Sequence, residues 1–134
     1  MSVHKRGLLD TSVFVAAENG RPLKARGIPA DSAISVVTFA ELQAGVLAAR
    51  DIDSRAARLA TLETTADMAI LPIDVDVATA WARLRVHLLE ADRRLNVNDS
   101  WIAATAIVHR IPVVTQDGDF DPLDGIAGLQ IVKV

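Results

Sequence analysis

The chain has 134 residues, 51% of them apolar, a formal net charge of −3 and no cysteine. That length builds a full hydrophobic core as one domain, residues 1–134, without staples, and the lack of cysteine excludes disulfides and thiolate metal sites. The acidic total speaks against a nucleic-acid partner only if charge is spread evenly, because a carboxylate cluster that binds divalent cations is acidic only until it is loaded.

The start, "MSVHKRGLLDTSVFVAA", imitates a secretory signal, but Asp10 sits inside the apolar run and argues against export. No stretch approaches the ~18 apolar residues that a membrane helix needs. The expectation is a soluble, cytoplasmic chain with no membrane partner. Of the basic residues, 11 are Arg and 3 are Lys. Arg suits phosphate recognition, and codon bias accounts for the excess equally well.

In chain order, Gly7 to Leu9 reads as a short buried strand ending at Asp10, and "TSVFVAAE" as a helix with Thr11 or Ser12 near its cap. Asn19 to Ala30 reads as loop. Ser32 to Val37 is a second strand, and "TFAELQAGVLAAR" a helix opened by Thr38 with Glu41 three residues on. "DSRAARLATLETTADMA" is a helix capped by Asp51 or Asp53, followed by a third strand, "AILPI". "DVATAWARLRVHLLEADRR" is a long helix whose Val77, Trp81, Leu84 and Leu88 make one apolar face. "NDSWIAATAIVHR" is a further helix, and Ile111 to Val114 and Leu129 to Val134 are the last two strands. Short apolar strands interleaved with helices predict an α/β fold with a mostly parallel five-stranded sheet flanked by helices.

On this layout the acids gather. Asp10 follows the first strand, and Asp117 and Asp119 follow the fourth. Glu41 and Asp99 lie in the first turns of helices that start at the carboxyl edge of the sheet, where open α/β sheets place their ligands. Each acid also has a structural explanation. Glu41 completes a T-x-x-E capping box with Thr38. Asp99 is an N-cap, or a first-turn acid behind Asn98 favoured by the helix dipole. Asp117 and Asp119 flank Gly118 and suit a tight turn. Asp10, hemmed by apolar residues, needs a partner or burial penalises it.

Other sites fit less well. Asp117, Asp119 and Asp121 match the start of a calcium loop, but Pro122 stands where its glycine belongs and Gly128 where its bidentate Glu belongs. His4, His87 and His109 have no metal-ligand spacing. Trp81 and Trp101 read as core rather than base-stacking platforms, and the pairs Arg83/Arg85 and Arg93/Arg94 as solvated helix faces rather than RNA contacts. Asp121 and Asp124 read as a helix cap or solvated charge.

The pieces "LLDTSVFVAAE", "FAELQAGV", "NDSWIAATA" and "VVTQDGDFDPL", in that order, resemble the PIN-domain nucleases and, more narrowly, the VapC toxins of bacterial toxin–antitoxin pairs. The resemblance implies a Mg²⁺- or Mn²⁺-dependent endoribonuclease that cleaves cellular RNA to inhibit translation. It matches Asp10, Glu41, Asp99 and Asp117 to the family's acidic quartet, Asp119 to an additional acid, and Ser12 and Thr115 to small hydroxyl positions near the site. It also implies a homodimer held inactive by a cognate VapB-type antitoxin that docks a C-terminal segment over the site. The residue types suit this chemistry, since hard cations take oxygen ligands and crowded carboxylates have raised pKa values without metal. On this reading Asp10 and Asp99 anchor a metal, Asp117 with Asp119 helps hold it or a second one, and Glu41 handles the attacking water.

Two other readings stand beside it. One is an acid-pocket phosphatase or receiver-like domain, which fits worse: Ser12 replaces the second Asp of the former, and Lys133 is the only late Lys for the latter. The other is a non-catalytic α/β binding module whose acids are caps and turns.

Overall fold

The computed structural model describes residues 5–134. His4, among the candidate histidines, lies outside the described residues, as does the start of the signal-like segment. Five strands form one sheet: β1 (Arg6–Leu9), β2 (Asp31–Ser35), β3 (Ala69–Leu71), β4 (Val113–Thr115) and β5 (Ile131–Lys133). Their order is β3-β2-β1-β4-β5, and all four pairings are parallel. The helices are α1 (Thr11–Glu18), α2 (Val36–Ala48), α3 (Ile52–Glu63), α4 (Val75–Glu90) and α5 (Val97–His109).

The pleat divides the core. Leu8, Ala33 and Val113 face one side, where Leu84, Leu88, Ile102, Ala103 and Ala106 of α4 and α5 cover them. Leu9, Ile34 and Val114 face the other, under Val13 and Phe14 of α1 and Leu42 of α2. This two-residue alternation, with both faces buried, is what a parallel sheet requires. The run of small residues in α5 is fully buried, so this helix sits close against the sheet. Among the described residues no helix is long and apolar enough to cross a membrane.

Several boundaries differ from the sequence expectation for local reasons. The cap of α1 is Asp10, whose carboxylate accepts from Ser12 N, not Thr11 or Ser12. β2 stops at Ser35 rather than Val37, because Ser35 Oγ accepts from Thr38 N at 3.1 Å and starts α2 two residues before Thr38. The β-branched Val36 and Val37 are drawn into a first helical turn by that cap. α3 ends at Glu63, where Thr64 and Thr65 turn their hydroxyls back onto Thr61 O and Leu62 O. α4 ends at Glu90 because Asp92 adopts φ 52° and Arg93 N bonds back to Leu88 O at 2.8 Å.

Strand order reverses direction between β1 and β4. The crevice at the carboxyl ends of these two strands is the topological switch point, the usual ligand position in an open parallel sheet. Asp10 leaves β1 there, and Thr115 ends β4 there.

Candidate active site

Asp10 is 3% exposed. Its Oδ2 accepts from Ser12 N at 3.3 Å and from Thr115 Oγ1 at 3.0 Å. Thr115 is fully buried, and its Oγ1 also accepts from Asp117 N at 3.0 Å. Ser12 Oγ lies 3.1 Å from Thr115 Oγ1 and accepts from Gln116 N at 3.0 Å. A hydroxyl has one proton to give. Thr115 gives its own to Asp10, so Ser12 donates to Thr115. Every proton in this knot is thereby assigned, and it ties the ends of β1 and β4 together. Asp10 is both a helix cap and a buried carboxylate at the switch point.

Glu41 does not close a capping box. Ser35 holds the cap of α2, which moves Glu41 to the second turn, half-buried. Its Oε1 accepts from Thr11 Oγ1 at 2.8 Å and its Oε2 from Asn98 Nδ2 at 3.4 Å. Thr11 Oγ1 also lies 3.1 Å from Thr38 Oγ1. Glu41 is therefore held between the starts of α1 and α5.

Asp99 stands in the first turn of α5 as expected, but the cap is Asn96, which accepts from Asn98 N at 2.9 Å. Burial pushes the Asp99 carboxyl up to about 7, and the charges of Asp10, Asp119, Glu41 and Asp117 push in the same direction. Asp117 is exposed, yet its carboxyl is also raised, first by partial desolvation and then by Asp10 and Asp119. Arg21 and Lys133 oppose that rise. Asp119 is exposed. The loop that carries these two acids is anchored by Phe120, which is fully buried. It is closed by an Asp121–Lys133 ion pair at 3.3 Å and by Ile131 N donating to Asp124 Oδ1 at 3.2 Å. Asp121 and Asp124 thus fasten the loop to β5.

The charges of Asp10, Glu41, Asp117 and Asp119 all reach Asp99 across a single edge of the sheet. Among the described residues, however, no three acidic or imidazole side chains close around a point that could hold a metal ion. Both observations fit mutually repelling carboxylates, which spread until a cation draws them in. The donor set, hard oxygen atoms carrying more negative charge than the site can easily bear, suits a divalent cation such as Mg²⁺ or Mn²⁺.

The family model described as PIN domain matches residues 7–126, nearly the whole chain. The chain belongs to the PIN-domain family. Within that family it is of the VapC type. It is 57% identical to ribonuclease VapC5 of Mycobacterium tuberculosis, over 96% of this chain and 95% of that protein. It is 40% identical to ribonuclease VapC4 of the same organism, over 95% and 98%. The crystal structure of VapBC-5 from Mycobacterium tuberculosis, a member of the VapBC family of toxin–antitoxin systems, superposes with a TM-score of 0.91 and 53% identity, covering 98% of this chain and all of that one. The PIN fold therefore agrees with the sequence expectation, including the five-stranded sheet, which here is wholly parallel.

Four residues of this candidate site are not among the sequence candidates. Thr11 and Asn98 hold Glu41, Thr38 lies beside Thr11, and Gln116 donates its amide N–H to Ser12 and its side chain to Val134 O. Thr11 and Asn98 each adjoin a candidate acid in sequence, and that adjacency was the available signal. Trp81 and Trp101 also depart from expectation. They are only partly buried and stack on each other, with ring centroids 4.6 Å apart and planes 10° from parallel.

Proposed function

We propose that this PIN domain is a divalent-metal-dependent endoribonuclease, a toxin that cleaves cellular RNA and thereby inhibits translation. The observation that carries the proposal is the gathering of five carboxylates at the switch point, where burial first and then the charges of the other four raise Asp99 to about 7. A helix cap or a solvated turn gives no reason to crowd acids at such a cost. The names of the relatives, ribonucleases VapC5 and VapC4, support the same reading.

Asp10, Asp99, Asp117 and Asp119 would hold Mg²⁺ or Mn²⁺, which supplies Lewis-acid activation of water and neutralises charge on the phosphate. Thr115 and Ser12 N fix Oδ2 of Asp10 and leave Oδ1 free to ligate. Glu41, fixed by Thr11 and Asn98, orients the attacking water and takes its proton at Oε2, the oxygen with the longer existing hydrogen bond. Water attack on phosphorus with loss of the ribose 3′ oxygen leaves a 5′-phosphate and a 3′-hydroxyl.

The remaining parts of the proposal are partners and place. A cognate VapB-type antitoxin, a homodimeric assembly and a cytoplasmic RNA target extend to this chain from its resemblance to VapC toxins.

The test is cleavage of a synthetic RNA by the purified chain with Mg²⁺ or Mn²⁺ and with EDTA, followed by analysis of the new ends. Metal-dependent cleavage to 5′-phosphate and 3′-hydroxyl ends is expected. A 2′,3′-cyclic phosphate, or full activity in excess EDTA, contradicts the mechanism.

A further inference from the structure

On the adjoining face of α5 lies a cleft of about 200 Å³ between the end of α4 and the start of α5. Trp81, Arg85, Arg93, Arg94, Val97 and Ser100 line it. Trp81 Nε1 donates to Ser100 Oγ at 2.9 Å, which fixes the indole against the first turn of α5. Trp81 is stacked on Trp101, and the Arg85 guanidinium carbon lies 5.5 Å from its ring centroid. The left-handed Asp92, φ 52°, turns the chain so that Arg93 and Arg94 leave α4 at the mouth of the cleft. Arg85, Arg93 and Arg94 are exposed, and none of them forms an ion pair among the described residues.

The same helical turn serves both places. Val97 and Ser100 face the cleft, while Asn98 and Asp99, between them in sequence, face the acidic site. The two sites are separated by the width of one helix, ~10 Å, which a strand running across the start of α5 spans in about two nucleotides.

We propose that the cleft is a nucleotide subsite for single-stranded RNA flanking the cleaved bond. A base stacks on the Arg85–Trp81 platform, and Arg93 and Arg94 take the neighbouring phosphates. Aromatic rings and guanidinium planes accept any base face, and arginine forks suit phosphate. The volume is below the ~300–1,000 Å³ typical of pockets for larger ligands and suits one planar group. The acidic edge repels an RNA backbone, so cationic contacts beside it supply the affinity that the acids cannot. This assignment rests on the ribonuclease reading above.

The test titrates a seven-nucleotide single-stranded RNA into the full chain in EDTA, followed by tryptophan fluorescence, then measures steady-state cleavage with Mg²⁺. The wild type binds with quenching. Arg93→Ala/Arg94→Ala is expected to weaken binding at least ~10-fold and to lower the slope of log affinity against log salt by ~1.4, two single-strand phosphates. KM rises by a similar factor while kcat stays within about twofold. Arg93→Lys/Arg94→Lys restores the salt slope. Arg85→Gln, which loses the stacking plane, weakens binding and reduces the quench without changing the salt slope by more than one phosphate; it decides the matter if the alanine variant does not fold. Unchanged affinity, KM and salt slope in a folded variant overturn the subsite alone, provided the wild type cleaves RNA. A changed oligomeric state with unchanged RNA affinity also overturns it and makes the cleft a protein interface. A wild type that neither binds nor cleaves RNA overturns the ribonuclease reading itself.

Discussion

Thr115 Oγ1 donates to Asp10 Oδ2 at 3.0 Å, across 105 residues of sequence, with both side chains buried. This bond joins the ends of the two strands that flank the switch point, and it is the main side-chain support of a carboxylate that burial penalises. Thr115→Val keeps the approximate shape and removes the donor. The variant should lose about 1–3 kcal/mol of stability in chemical denaturation at pH 7, since Asp10 is left a buried charge with fewer partners. Thr115→Ser should stay close to wild type.

Asp99 gives a pH signature. Its folded pKa, about 7, lies above the ordinary 3.8, so the folded state holds the extra proton between those values. Stability contributed by that proton is present at low pH and is lost as pH rises through the window up to about 7. Asp99→Asn should therefore be more stable than wild type at pH 8. Discounted for the solvent that screens a half-buried carboxylate, the gain is about 1–2 kcal/mol. It should vanish below pH 4. Thermal melts of both proteins from pH 4 to 8 check this; a variant less stable than wild type at pH 8 would show that Asp99 is a structural anion.

Glu41→Gln keeps a carbonyl for Thr11 and the length of the side chain, but removes the proposed base. Cleavage should fall by about 10²–10⁴ in kcat, with melting temperature and RNA affinity near wild type. Equal loss of stability and activity would make Glu41 a packing residue between α1 and α5.

Much of this was legible in the sequence. The alternation of short apolar strands with helices specifies the parallel sheet, and Asp10 stands out because a charge follows "GLL" with apolar residues beyond it. Glu41 was misplaced for a local reason: T-x-x-E is a capping pattern, and nothing local reveals that Ser35 already caps α2. What holds Glu41 was hidden altogether. Thr11 is 30 residues away and Asn98 is 57, so their meeting is set by the packing of three helices on one sheet edge. Helical periodicity places the tryptophans in the core, but it marks a face and not how far the next element covers it.

Gly7 reports on the sheet that positions the site. A Cβ there would stand 2.7 Å from Pro29 Cγ and 2.9 Å from Val114 Cγ2. Gly7→Ala should cost about 1–3 kcal/mol through forced shifts in the loop before β2 and in β4. Urea denaturation measures it; an unchanged midpoint would mean that Pro29 gives way freely.

On this reading Asp10, Asp99, Asp117 and Asp119 form one divalent-cation site. Calorimetric titration of Mn²⁺ into the full chain at pH 7, repeated in two buffers of different ionisation enthalpy, tests it most directly. Binding should release protons at pH 7, as the raised carboxyls of Asp99 and Asp117 are driven to their carboxylates, and fewer at pH 9. Asp10→Asn and Asp99→Asn should each weaken the affinity at least ~10-fold while remaining folded. No Mn²⁺ binding by the wild type, or affinity equal to wild type in both variants, would rule that site out.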